Sequence, residues 1–434
     1  MAKPNRETDL LIIGNGVAGI RAAAAARRED PALRILTVSG EPCPAYAAGA
    51  LPDYLAGHIP REEIFIRRAE DYEKDGVGVL FGEEVLEIRH GEKKAVTEKH
   101  VIAYDRLIYA AGSFPILPRR IEGIGLPGNR VMKTVADVDG LLAQKASSAV
   151  VVGSGAIGLE GALALKESGC ERVTLVELMD RVIPKSLDRD TAALVAAEVE
   201  KRGIRVLTGE SVNAVKGEGK VAFAETNHEK IPCDLVLWAV GVRPRVELAA
   251  DAGVALGETG GILVDDCMAT NLPDFYAAGD CTESTDRLTQ KPVLNLLWEA
   301  AARQGETAGL AAAGRRKPFP GSLAVLLTYV GETPVLAFGA TEDDLEGRRY
   351  RVAERSAGGG YTRLLLRRNR LVGAQMVGTL EFAGPLLALM EKGAALPAAA
   401  GDIGDIRRNI VIPHQLSSYL REFRPPGRKR KETL

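Results

Sequence analysis

The chain has 434 residues, 46% of them apolar and 26% charged, with a formal net charge of −2. That length allows roughly three domains of ordinary size, and the near-neutral charge excludes a broad electrostatic attraction to nucleic acid or to an anionic membrane. No apolar run approaches the roughly 20 residues needed to span a bilayer. The opening "MAKPNRETDL" is polar and reads as no signal peptide, and five cysteines without a CxxC pair suit a reducing cytoplasm.

In chain order, the first predicted strand lies in "DLLIIGNGVAGIRAAAAARR" and ends at Ile13. Gly14, Gly16 and Gly19 then form a GxGxxG turn that opens an Ala-rich helix. A second strand, "RILTV", a helical segment and the step Gly76-Val77 follow. Strands with charged turns come next, and the unit closes on "YDRLIYAAG" at Gly112. The same order then recurs. "AVVVGSGAIGLEGALALKESG" carries Gly153, Gly155 and Gly158, "RVTLVE" is the next strand, and "CDLVLWAVG" closes the unit at Gly241.

One GxGxxG is weak evidence; two, each between a strand and a helix, are the required context. The first glycine permits the turn, the second lets backbone approach a pyrophosphate, and the third allows close helix–strand packing. The helix N-terminus then offers unpaired N–H groups to the phosphates. In the second unit Glu177 ends the next strand, where a carboxylate accepts from the ribose hydroxyls and repels a 2′-phosphate. This favours NADH over NADPH, although Arg181 nearby is able to serve a phosphate. In the first unit the candidate ribose ligand is Glu41. Cys170, Cys233, Cys267 and Cys281 read as small buried fillers.

At residues 270–280, "TNLPDFYAAGD" joins a threonine, an apolar strand and Gly-Asp. Together with "AAGSFP", "AVGVRP" and "GSGAIGLE", it resembles the two-dinucleotide-domain flavoproteins of the pyridine nucleotide–disulfide oxidoreductase superfamily. The resemblance implies an α/β fold with two Rossmann-like domains and a C-terminal α+β interface domain. The FAD domain would comprise 1–115 and 246–315 and the NAD domain 116–245. The interface domain, 316–434, would carry a basic tail from about 424 and commonly makes homodimers. The implied FAD-binding residues are Gly14, Gly16, Gly19, Glu41, Val85, Ala111, Gly112, Asp280 and Trp298, with Asp280 on the ribityl chain. Those for NADH are Gly153, Gly155, Ile157, Gly158, Glu177 and Gly241. Glu160 is expected near the nicotinamide and is a candidate catalytic residue. His414 in "IPHQLSSYL" resembles the acid/base segment of disulfide reductases, but a surface or core histidine is the preferred reading. No metal site is expected.

The electron acceptor turns on "EPCPAYAAGALPDYLAG", residues 41–57. One branch of the family, resembling NADH oxidases and coenzyme A-disulfide reductases, keeps a flavin-facing cysteine whose position falls on Gly49 here. Cys43 is six residues earlier. An extended chain spans up to about 20 Å over six residues, so a spectator is the reading preferred, against a rerouted loop that makes Cys43 catalytic. A second branch, the ferredoxin-, rubredoxin- and nitrite-reductase-linked NADH reductases, matches Glu41, Pro42, Tyr46 and Leu51, but its lysine is replaced by Asp53. The expectation is a cytoplasmic FAD-dependent NADH:acceptor oxidoreductase whose partner is an iron–sulfur or rubredoxin-type protein. The alternatives are an NADH oxidase or a coenzyme A-disulfide/polysulfide reductase using Cys43, and an NADH-sensing flavoprotein.

Overall fold

The computed structural model describes residues 5–288, 290–294 and 296–395; His414 and the basic tail lie outside them. The described chain divides into two units. The first holds the residues up to 49, 61–114 and 242–324; the second holds 50–60, 115–241 and the residues from 325 onward. Among the described residues, no helix is long and apolar enough to cross a membrane.

In the first unit, largely apolar runs such as "LLII" and "ILTV" supply strands buried on both faces, as a parallel sheet requires. The strand order is Val77–Phe81, Ile35–Ser39, Arg6–Ile13, Val101–Tyr109, all parallel. Phe275–Ala277 adds in parallel beside the end of Val101–Tyr109. Ile13 lies opposite both Val38 and Tyr109, and Ala277 opposite Tyr109, so four chains leave the sheet at one edge. That edge is where ligands bind in open α/β sheets.

Small residues set the packing above it. Helix Val17–Glu29 buries five alanines, and helix Trp298–Ala312 lies against it. A Cβ on Gly305 would stand 2.2 Å from the Ala18 carbonyl oxygen, and one on Gly309 2.2 Å from that of Ala22. The two helices are therefore in backbone contact, and side chains larger than hydrogen at those glycines would force them apart.

The second unit repeats the parallel sheet in the order Ile204–Thr208, Arg172–Glu177, Ser148–Val152, Leu235–Trp238, Asn129–Arg130. Its C-terminal part is a five-stranded antiparallel sheet over residues 325–377. The buried Arg363 of that sheet pairs with Asp188, the residue before helix Arg189–Glu200, and with Glu342 and Glu354. Helix Leu51–Ala56 also belongs to this unit and packs on helix Ala156–Glu167. Tyr54 fixes it by donating to Asp139 at 2.7 Å, and His58 lies between Asp53 at 3.2 Å and Glu167 at 2.9 Å.

Candidate functional site

The two glycine turns are built alike. Gly14 has φ +111°, and a Cβ there would lie 2.1 Å from the Ala110 carbonyl oxygen. Gly153 has φ +97°, with 2.5 Å to that of Ala239. The third glycines are as tight: a Cβ on Gly19 would be 2.0 Å from the Gly14 oxygen, and one on Gly158 1.8 Å from the Gly153 oxygen. The middle glycines differ from both. Around Gly16 and Gly155 a Cβ would meet nothing within 4 Å. Each also begins its helix without a side-chain cap, so the first helical N–H groups face that open space. Packing therefore demands the outer glycines, and the space a phosphate needs lies over the middle ones.

The residue between the first two glycines is buried in both turns. In the second, Ser154 donates from N and Oγ to Glu177 Oε2 at 2.8 and 2.7 Å, while Glu177 Oε1 accepts from Met179 N at 2.9 Å. Glu177 is 7% exposed. In the first turn the strand register puts Ser39 where Glu177 stands, because Val38 faces Ile13 as Val176 faces Val152. Glu41 is two residues further on, exposed, and accepts from Tyr46 Oη at 2.8 Å. Asn15 thus has a serine where Ser154 has an acid, and among the described residues its buried Nδ2 has no hydrogen-bond partner.

The other predicted flavin residues fall into two groups. Gly112 (φ +72°) and Gly279 (φ +88°) turn at the ends of Val101–Tyr109 and Phe275–Ala277. Asp280 accepts from Ser113 Oγ at 2.7 Å. Ala111, Gly112 and Asp280 are thereby brought to the edge that carries Gly14–Gly19. Val85 follows Val77–Phe81, partly buried in the antiparallel hairpin opposite Thr97 and packed against the core cluster that includes Ile13 and Val38. Trp298 is the first residue of its helix and 49% exposed. Sequence reasoning missed Ser113, Ser154 and Asn15. Their signal was available, since each adjoins a motif glycine and carries a short polar side chain.

On the second unit, Ile157, Leu178, Met179 and Val240 are large apolar side chains left 39–68% exposed close to the glycine turn, and Gly241 follows with φ +110°. Such a rim suits the flat faces of a dinucleotide's bases. Arg181 is not available to a 2′-phosphate. It is 6% exposed and donates to the carbonyls of Leu187 and Pro184 at 2.9 and 3.2 Å, and to Asp180 and Asp343.

Glu160, on helix Ala156–Glu167, accepts from Thr328 Oγ1 at 2.8 Å. Thr328 is 2% exposed and comes from strand Val325–Val330 of the same unit. Burial pushes the Glu160 carboxyl up to about 7; the Thr328 hydrogen bond opposes this, and Asp53 adds to it. Among the cysteines, burial pushes Cys233 and Cys281 up to about 12 and raises Cys170 and Cys267 as well, so these four are protonated at neutral pH. Cys43 is partly exposed.

The residues present fit two dinucleotides: open space over each middle glycine, an unsatisfied buried donor at Asn15, and a ribose-type acid at Glu177. Two glycine-turn units of this kind, the first also carrying the Asp280 edge, define the two-dinucleotide flavoproteins. The chain belongs to the pyridine nucleotide-disulphide oxidoreductase family, whose pattern matches residues 8–305, and it is an FAD-dependent NAD(P)H oxidoreductase. It is 32% identical over 342 residues to an NADH oxidase of Methanocaldococcus jannaschii, covering 76% of each chain. It is 29% identical over 394 residues to a nitrite reductase [NAD(P)H] of Bacillus subtilis, covering 89% of this chain and 47% of that protein, so it spans about half of that relative. The solved structure of an NAD-dependent persulfide reductase from A. fulgidus superposes with a TM-score of 0.86 at 28% identity, covering 95% of this chain and 83% of that one.

Proposed function

We propose that the chain passes electrons from NADH through FAD directly to a one-electron redox protein, with no thiol stage. When bound, the two cofactors supply the hydride transfer and its division into single electrons. The chain's own contribution is to hold the phosphates at Gly16 and Gly155, the ribityl chain at Asp280 and the NADH ribose at Glu177. The observation that carries this reading is the anchoring of the Cys43 loop. Glu41 O accepts from Gly82 N at 3.2 Å, just past Val77–Phe81, and Ala45 O accepts from Ile66 N at 3.0 Å, so backbone holds the loop on both sides of Cys43 and the loop starts at the Val77–Phe81 edge. Asp280 follows the strand at the opposite end of the order, four strand spacings or roughly 19 Å away. A flavin held at Asp280 leaves the Cys43 thiol at the adenosine end. Gly49, the position of the reactive cysteine in the other branch, has no thiol to offer.

NADH is the proposed donor. A 2′-phosphate would face the Glu177 carboxylate, and Arg181 is committed to its own loop. The expected kcat/KM is at least tenfold higher for NADH than for NADPH, a difference of about 1.4 kcal/mol.

A second reading, favoured by the likeness to the persulfide reductase, uses Cys43 against a disulfide or polysulfide. Cys43→Ser separates the two. Under the lead reading it reduces rubredoxin- or ferredoxin-type acceptors at the wild-type rate, and rapid mixing with NADH bleaches the wild-type flavin without a long-wavelength thiolate–flavin band. Loss of coenzyme A-disulfide or polysulfide reduction in Cys43→Ser, with that band present in the wild type, would establish the second reading instead.

A further inference from the structure

We infer that Tyr72 aims the Asn15 amide at the FAD pyrophosphate and ties that contact to the loop carrying Cys43. The inference rests on the flavin reading of the first glycine turn and adds Tyr72, which lies outside every motif named above. Tyr72 is 3% exposed. Its ring is set edge-on to Phe81, with centroids 5.7 Å apart, and lies under the Arg67 guanidinium at 5.0 Å. Its hydroxyl accepts from Ala45 N at 3.1 Å and donates to Asn15 Oδ1 at 3.0 Å.

These two bonds decide the orientation of the amide. The Ala45 N–H can only donate, so it takes a lone pair of the tyrosine oxygen. The single hydroxyl proton is then committed to Asn15, whose acceptor end must face it. The Nδ2 end is left pointing away, 92% of the residue is buried, and among the described residues no atom accepts from it. A buried donor without a partner is a rare and unfavourable arrangement.

The second unit shows how the chain settles the same position when it can do so internally. There Ser154 is satisfied by Glu177. In the first unit Ser39 stands at the acid's register position, and Asn15, next to Gly16 in the turn, keeps a buried donor in reserve. An acceptor-rich anion is the chemistry that completes it. Because one hydroxyl serves both Asn15 and Ala45, filling the site also firms the 41–47 loop.

The test uses the full chain stripped of flavin and titrated with FAD, read by flavin fluorescence. Hydrogen bonds to charged groups are worth enough that Asn15→Ala should weaken FAD roughly tenfold or more. Asn15→Asp, which puts a negative acceptor in place of the donor, should weaken it roughly 100-fold. Tyr72→Phe keeps the ring but frees the amide to turn. It should weaken FAD about fivefold and speed alkylation of Cys43 by iodoacetamide, a change that FAD loading slows in the wild type. NADH binding at the second unit should be unchanged in all three, which guards against misfolding. If Asn15→Asp and Tyr72→Phe bind FAD as the wild type does, or if their losses only follow a lower melting temperature of the flavin-free chain, the inference falls and the flavin reading stands. If the wild type takes up no FAD, both fall.

Discussion

Gly16→Ala should give a folded protein that loses FAD, whereas Gly19→Ala should destabilise the fold itself. The two glycines are three residues apart in one motif, yet the added methyl meets opposite surroundings. At Gly19 it would sit 2.0 Å from the Gly14 carbonyl oxygen and 3.0 Å from its carbon. Backbone of a turn at φ +111° cannot retreat without breaking the Gly14 N–H bond to Val38 O at 2.8 Å. Overpacking a tight site costs about 1–3 kcal/mol and sometimes more; a backbone clash belongs at the upper end, about 3 kcal/mol or above. At Gly16, φ is −72° and ψ −176°, a conformation any residue adopts, and the methyl enters open space. The loss there is that of an N-cap glycine, below about 1 kcal/mol. The same methyl occupies the volume through which a phosphate reaches the helix N–H groups, so FAD affinity should fall about 100-fold or more. Gly155→Ala and Gly158→Ala should repeat the contrast for NADH. Chemical denaturation of the flavin-free chain, paired with FAD titration, reads both effects. Equal stability losses at Gly16 and Gly19 would contradict this assignment of roles.

The outer architecture was legible because it is local. Strand–glycine–helix order, apolar runs and the internal repeat all lie within short windows, and the spacing to Glu177 follows from strand and helix lengths. The first ribose acid was harder. Counting residues reached Glu41, but register gives the equivalent place to Ser39, because "SG" interrupts the strand end before the acid. Helix Leu51–Ala56 was illegible for another reason. Its neighbours along the chain lie in the first unit, while Asp139, the partner of its Tyr54, is 85 residues away. Thr328 was hidden likewise, since nothing in "AVLLTYV" signals that its hydroxyl meets a carboxylate 168 residues earlier. Asn15 and Tyr72 form a pair 57 residues apart; only the sheet brings them together.

Glu160→Gln should change the pH dependence of stability by about 3 kcal/mol. The residue is part-exposed, but its carboxyl end meets Thr328, which is 2% exposed, and its titration is pushed from the ordinary 4.5 up to about 7. Because the folded value lies above the unfolded one, the native protein binds more protons than the unfolded chain between those limits. The group's contribution is complete below about pH 4.5 and is lost as the pH rises through about 7. At 1.36 kcal/mol per unit, the whole swing is about 3 kcal/mol. Glutamine keeps the shape, cannot ionise, and can still accept from Thr328. Measured against the wild type, Glu160→Gln should therefore gain about 3 kcal/mol in relative stability between about pH 4 and pH 8, with the midpoint of the change near pH 6 and a plateau above about 7. Thr328→Val removes the hydrogen bond that favours the carboxylate and should move that midpoint upward. Asp53→Asn removes the neighbouring negative charge and should move it downward. The three shifts, read from urea unfolding at successive pH values, have different signs for one physical cause. Parallel stability curves for wild type and Glu160→Gln would mean that the carboxyl is hydrated and already ionised at pH 5, and would remove the basis for treating Glu160 as a proton-holding group beside the NADH turn.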